Sequence, residues 1–314
     1  MHPWNQPLFE SLRRRIERLP HALLVHGAPG TGKLALAEHI ARFLLCEATD
    51  PATRPCGSCN GCRWFAAGSH PDLRRVEPEA LAREPVMEAE EGEAPARKAK
   101  PSTEIKVEQV RDLAGFLNLR SHRGKLRVAL VHPAEDMNPN AANALLKGLE
   151  EPPAGAVFVL VSHRPARLLP TIRSRCVALP VPIPPREEAL GWLSAQGARD
   201  PGRWLAYAGG APRLALEYAG RADALDRLLK DPAPIVDRDE LEALAEALQK
   251  IALDRAFTAF GLAPKYQTGH ASAGPSEAYA WLSFARQMGQ HRLLTRHPLN
   301  PKLFSAEMLA AMPR

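Results

Sequence analysis

An α/β fold, a parallel sheet followed by an all-helical region, is what this sequence predicts, on three observations. A glycine-rich loop, "GAPGTGKL" (Gly27–Leu34), sits between a short apolar run and an amphipathic one. Apolar runs and helical patterns then alternate as far as about Pro182, as strands covered on both faces by crossover helices do. Beyond the proline-rich "LPVPIPPRE" no run reads as a strand, and the ordered stretches repeat at helical spacing.

Taken in order, "ESLRRRIERL" places Leu12, Ile16 and Leu19 on one helical face. "HALLVHG" is a buried strand ending in glycine, and "KLALAEHIARFLLCE" is a helix with Leu36, Ile40, Phe43 and Leu44 at three- and four-residue spacing. A cysteine-rich segment runs from Cys46 to Cys62. Glu77 to Glu104 is poor in aromatics, with its acids ahead of its lysines, and reads as a solvated loop or insertion. "IKVEQVRDLAGFLNLR" resumes helical order, and "LRVALV" is a second strand. "NPNAANALLKGLEEPP" is a helix capped by Asn138 or Asn140 and stopped before Pro152. "AVFVLVSH" and "RCVALPV" are a third and a fourth strand. "REEALGWLSAQ", "RWLAYAG", "APRLALEYAGRADALDRLLK", "DELEALAEALQKIALDRAFTAFG" and the segment from Ala278 to Met312 follow as helices, with "PKYQTGHASAGPSE" a long loop among them.

The chain has 314 residues, a net charge of +6 and 45% hydrophobic residues, enough for two or three domains with real cores. The basic balance suits a nucleic-acid-associated protein without requiring one. No run approaches the ~18 apolar residues of a membrane span. The first residues lack an apolar signal core, so a cytoplasmic protein without membrane contact is expected. In that compartment the five cysteines read as metal ligands or buried thiols.

Gly27, Gly30 and Gly32 permit a tight turn whose N–H groups face phosphate oxygens, with Lys33 reaching the terminal phosphates and the positive end of the following helix behind them. A glycine turn with a surface lysine is the alternative. Leu34 stands where a Ser or Thr hydroxyl would hold Mg²⁺. His132 and Pro133 stand where a strand-end Asp and Glu would hold metal and orient water. Glu135 and Asp136 come two or three residues late and read as solvent-facing carboxylates at a helix start. Two losses of metal chemistry argue against hydrolysis by this chain alone.

Cys46, Cys56, Cys59 and Cys62 have the spacing C-x9-C-x2-C-x2-C, which suits a closed structural zinc site. His70 is a substitute ligand at most, and Cys176, among apolar neighbours, is a buried thiol. From spacing alone Arg173 and Arg175 are surface or salt-bridged arginines before the last strand.

Together "HALLVHGAPGTGK", "CGSCNGCRWFAAGSHPD", "NAANALLKGLEEPP" and "SRC" (Ser174–Cys176), with weaker support from "GGAPRLAL" and "HPLNPKLF", resemble the clamp-loader group of AAA+ ATPases in bacterial DNA polymerase III. The resemblance covers nearly the whole chain. It implies an AAA+ P-loop domain over residues 1–182 with its zinc module at 46–62, a helical lid over 183–230, and a helical collar over 231–314 that joins a hetero-pentamer. It implies partners in the delta and gamma/tau motor subunits and, through the complex, the sliding clamp and primer–template DNA. Arg175 becomes an arginine finger acting in trans on ATP held by a neighbouring motor subunit, and the four cysteines match the family's zinc module. Ser162 falls at the first sensor position and Arg213 at the second. With Gly27, Gly30, Thr31, Gly32 and Lys33 they outline a degenerate site in which ATP or ADP binding stays open. The Glu77–Glu104 tract departs from the family pattern. Two other readings stand beside this one: an active ATPase motor using Glu135 or Asp136, and a zinc-stabilised DNA-binding module using Arg63.

Overall fold

A computed structural model describes residues 1–15, 19–82, 101–119, 121, 126–269, 274–295, 297 and 299–313. It divides into two compact units, Met1–Ile183 and Pro184–Arg314. Among the described residues, no helix is long and apolar enough to cross a membrane.

The first unit is built on a five-stranded parallel sheet: β1 (Ala22–His26), β2 (Leu73–Val76), β3 (Arg127–Val131), β4 (Ala156–Ser162) and β5 (Val177–Pro180), in the order β2-β3-β4-β1-β5. β3 and β4 are buried along their whole length, which is why they read as unbroken apolar runs. Alternate residues point to opposite faces. Ala22, Leu24, Ala129, Val131, Phe158 and Leu160 meet helices α4 (Val107–Asn118) and α5 (Pro139–Glu150). Leu23, Val25, Val128, Leu130, Val159 and Val161 meet α2 (Lys33–Leu45). Short helices α1 (Gln6–Arg13), α3 (Asn60–Ala66) and α6 (Pro170–Arg175) complete the unit.

Strand β2 is absent from the sequence reading, because "LRRV" carries two arginines. As an edge strand it keeps its cations at the rim. Arg74 lies over the Phe116 ring at 5.4 Å, and Arg75 lies over Phe65 at 5.7 Å and pairs with Glu38 at 3.1 Å. α1 also begins and ends earlier than its apolar spacing suggests. Pro7 starts it, Leu19 reaches the same core from the loop before β1, and Ile16 lies outside the described residues. Most of the Glu77–Glu104 tract likewise lies outside them.

The second unit has helices and no strand among its described residues: α7 (Arg186–Ala195), α8 (Pro201–Tyr207), α9 (Pro212–Gly220), α10 (Ala222–Lys230), α11 (Leu241–Ala259), α12 (Ala278–Leu294) and α13 (Pro301–Ala310). "APRLALEYAGRADALDRLLK" is two helices, broken at Arg221. The boundary expected at residues 230/231 falls inside this unit, and α11 joins two core clusters of it. Ala247 and Ile251 join Leu193, Trp204 and Leu225, while Leu244 and Leu248 join Trp281, Phe284 and Met308. The loop after α11 is tied back by Asp254, whose carboxylate accepts from the backbone N–H groups of Tyr266 (2.7 Å) and Thr268 (2.9 Å).

At the start of α5 the structure selects Asn138 as cap: its Oδ1 accepts from the Ala141 N–H at 2.8 Å. Asn138→Ala should therefore lower the stability of the first unit by about 1 kcal/mol, and Asn140→Ala by much less, in urea unfolding. Equal effects would refute the assignment.

Candidate functional site

The glycine loop leaves β1 at His26 and enters α2 at Lys33. Gly27 (φ 152°), Gly30 (φ 76°) and Gly32 (φ 83°) all have positive φ. A Cβ at Gly27 would lie 2.3 Å from the Val181 carbonyl oxygen, so only glycine lets the loop pass that close to the end of β5. The Gly27 N–H donates to the Ser162 carbonyl at 3.3 Å, fixing the loop to β4. Thr31 is fully buried and its Oγ1 donates to the Ala28 carbonyl at 3.0 Å. Lys33 is buried too, its Nζ turned onto the Ala28 carbonyl. Burial draws its pKa down to about 8, against the opposing field of Glu135.

The N-terminal segment holds this loop from outside, a feature the sequence reading missed. Trp4 Nε1 donates to the Thr31 carbonyl at 2.9 Å, and Asn5 Nδ2 to those of Thr31 (3.3 Å) and Gly32 (3.4 Å). His2 stacks on Trp4 at 4.6 Å.

The expected metal positions are filled by other chemistry. Leu34 packs against the sheet core and lines a cavity with Glu38, Arg75, Leu130 and His132. His132, just beyond β3, meets His163, just beyond β4, with Nε2 atoms 3.3 Å apart and rings perpendicular. Burial is the main cause that lowers both imidazoles to about 4, so both are neutral at pH 7. Glu135 corrects the sequence reading, since it does not face solvent. Its Oε1 accepts from the backbone N–H groups of His163 (2.8 Å) and Arg164 (3.0 Å), because the turn after β4 exposes donors that need a partner. Its Oε2 is buried without a hydrogen-bond partner among the described residues. Asp136 contributes its carbonyl to the Ile105 N–H at 2.8 Å. Ser162, fully buried, accepts at Oγ from the Arg164 N–H at 3.2 Å. Arg213 is exposed on α9, in the other unit.

The four cysteines converge. Cys46 ends α2, Cys59 caps α3 and Cys62 is buried inside it. Their sulfurs, with that of Cys56, lie within 4.8 Å of one another, and Cys46 and Cys59 are 3.9 Å apart. Four thiolates about 2.3 Å from one zinc ion would sit about 3.8 Å apart, so the set fits a tetrahedral metal. Backbone N–H groups of Cys56, Cys59 and Cys62 already point at sulfurs, at 3.4, 3.4 and 3.3 Å. Such donors suit thiolate charge. His70 stays outside the set, accepting from the Asp72 N–H at 3.0 Å and meeting Trp64 edge-on. Cys176 is half-buried against the sheet core, and burial pushes its thiol up to about 11.

Arg175 ends α6 at the surface. Its Nη2 pairs with Glu150 at 2.7 Å and its Nη1 donates to the Thr171 carbonyl at 3.0 Å. Arg173 is exposed.

The profile of the family described as DNA polymerase III, delta subunit, matches residues 4–184 of this chain. The chain belongs to this family. The delta-prime subunit of DNA polymerase III from Pseudomonas aeruginosa is 43% identical over 225 residues, 70% of this chain and 62% of that protein. The Escherichia coli delta-prime subunit is 36% identical over 226 residues, 71% and 60% of the two chains. The chain thus spans less than two thirds of these relatives. A solved gamma subunit-related protein of DNA polymerase III from Thermotoga maritima is 20% identical, covering 96% of this chain and 97% of its own, with a TM-score of 0.48. The clamp-loader resemblance read from the motifs agrees with the family and its delta-prime members. The sheet and glycine loop all fall inside the matched region.

The neutral histidine pair gives stability a pH dependence of defined sign. Both folded values lie below the ordinary 6.5, so the unfolded chain binds more protons between them. Stability is fully present above pH 6.5 and falls as pH drops toward 4. Between pH 7.5 and pH 5 the pair should cost about 4 kcal/mol in urea unfolding, and His132→Gln/His163→Gln should flatten that dependence. An equal slope in the variant would show that other groups carry it.

Proposed function

We propose that this chain is the delta-prime-type subunit of a DNA polymerase III clamp loader. It is a non-hydrolysing AAA+ scaffold that supplies Arg175 in trans to ATP on a neighbouring motor subunit. The observation that carries the reading is the combination at the glycine loop. Its glycines keep the positive-φ turn that a phosphate cradle needs, yet Leu34 and His132, the latter paired with His163, stand where Mg²⁺ ligands are expected. Support also comes from family membership and from Arg175 at the surface, outside the loop's own pocket. In this reading residues 183–230 act as lid and 231–314 as collar of a hetero-pentamer with delta and gamma/tau subunits. The sliding clamp and primer–template DNA are reached through that complex, in the cytoplasm. Any ATP or ADP at the loop would be held by Gly27, Gly30, Thr31, Gly32 and Lys33, with Ser162 as a sensor.

The chemistry divides between the subunits. The neighbour's own machinery would position the attacking water and the metal. Arg175 would place fixed positive charge against the oxygens of the transferring phosphoryl group as their charge shifts. Arg175→Ala in the reconstituted complex should lower DNA-stimulated turnover at that one site by about 10³-fold. Unchanged turnover would sink the finger assignment. The isolated chain should release no phosphate from ATP. Release abolished by Lys33→Ala would make it a motor subunit instead, with Glu135, whose field acts on Lys33, and Asp136 as the groups to test.

The four cysteines would hold zinc as a closed structural centre with no position left for substrate. One zinc ion per chain is expected by elemental analysis, lost in Cys59→Ser. Chelation should expose residues 46–62 to proteolysis while β1, β3 and β4 stay protected. A metal-free protein with the same protease resistance would reject the assignment.

A further inference from the structure

We propose that Glu150 is a positioning residue for Arg175: it holds the guanidinium in place from the end of a fixed helix, so that Arg175 meets the neighbouring nucleotide already oriented. The inference rests on the trans-acting reading of Arg175 given above.

Two sequence motifs that the function leaves unconnected meet here. Glu150 belongs to "NAANALLKGLEEPP" and Arg175 to "SRC", 25 residues apart in the chain, yet Glu150 Oε1 and Arg175 Nη2 are 2.7 Å apart. The two ends of the pair differ in rigidity. The last turn of α5 is anchored three ways. Leu149 is buried in the sheet core, and its carbonyl is bound by His21 Nε2 at 3.1 Å. Gly148 lies so close to the Phe158 ring that a Cβ there would come within 3.1 Å of it. Glu150 is thus a carboxylate on a stationary platform. α6 is only one and a half turns long and ends at Arg175. The guanidinium is gathered by Glu150, by the Thr171 carbonyl at 3.0 Å and by Ser174 Oγ at 3.5 Å.

That arrangement uses some of the five N–H donors of the fork and leaves the rest for a phosphate. Holding a long side chain in one rotamer before the encounter removes an ordering cost from the transition state. A positioning role has a signature that a stabilising one lacks. It disappears when the positioned group is removed.

The test is a double-mutant cycle in the reconstituted clamp loader, read as kcat and KM for DNA-stimulated ATP turnover. Glu150→Ala should lower kcat about tenfold with KM for ATP unchanged, and Glu150→Gln, which keeps size and a hydrogen-bond acceptor, should lie between it and the parent. In the Arg175→Ala background, Glu150→Ala should change nothing further. All variants should melt with the parent chain, since both side chains are part-exposed. If Glu150→Ala is silent while Arg175→Ala cripples the complex, Glu150 has no positioning role and the finger stands. If the two losses multiply, Glu150 acts independently of Arg175 and the proposal is overturned. If Arg175→Ala is silent, the finger reading itself fails and takes this inference with it.

Discussion

One helix fixes the geometry of both sites. α2 begins at Lys33, on the glycine loop, and ends at Leu45, one residue before the first clustered cysteine. Its 13 residues set the two about 20 Å apart along a single rigid axis. Leu36, Ile40 and Phe43 are almost wholly buried against the sheet, and Phe43 meets Phe9 edge-on at 5.4 Å. The helix cannot shift without opening that layer. The glycines are the counterpart of this rigidity. A strand end and a helix start placed this close demand positive φ at Gly30 and Gly32, and passage beside Val181 demands no side chain at Gly27.

The loop's shape is held by protein groups and needs no metal. The Thr31 and Gly32 carbonyls take Trp4 and Asn5 as donors, Gly27 is tied to Ser162, and Lys33 turns onto the Ala28 carbonyl. Position 34 has joined the apolar layer and position 132 a histidine pair. Each of these residues packs at a place where the sequence pattern predicts a metal ligand. The backbone cradle can therefore persist as scaffold whether or not phosphate occupies it.

What the sequence reveals follows the range of the interaction. The glycine loop, the central strands and the cysteine spacing are local signals, and each appears in the structure where the pattern puts it. β2 escapes because "LRRV" alternates no apolar residues. Its strand character comes from pairing with β3 and from Phe65 and Phe116, residues distant in the chain. Glu135 is misread because only the fold brings the turn at His163 and Arg164 against it. The Trp4 and Asn5 contacts span 26 or 27 residues and leave no periodic trace. Arg175 is visible as a motif, but its partner Glu150 is not, since nothing in either motif names the other.

Two arginines of the same unit show how burial separates structural from available charge. Arg127 is buried beside Asp72 at 3.8 Å, lies over the Phe116 ring and reaches the Phe116 carbonyl. Removing one partner of such a buried pair costs about 3–5 kcal/mol, so Arg127 cannot leave to do anything else. Arg175 and Glu150 remain about a third and a half exposed. A pair in that setting is worth about 0–1 kcal/mol, because water competes for both charges. In the proposed trans-acting role such a contact would be strong enough to bias a rotamer and weak enough to yield to a phosphate carrying more charge in a drier place. Tight burial would have made Arg175 immobile, and full exposure would have left it disordered. On that proposal the intermediate setting would keep the guanidinium both oriented and free to transfer.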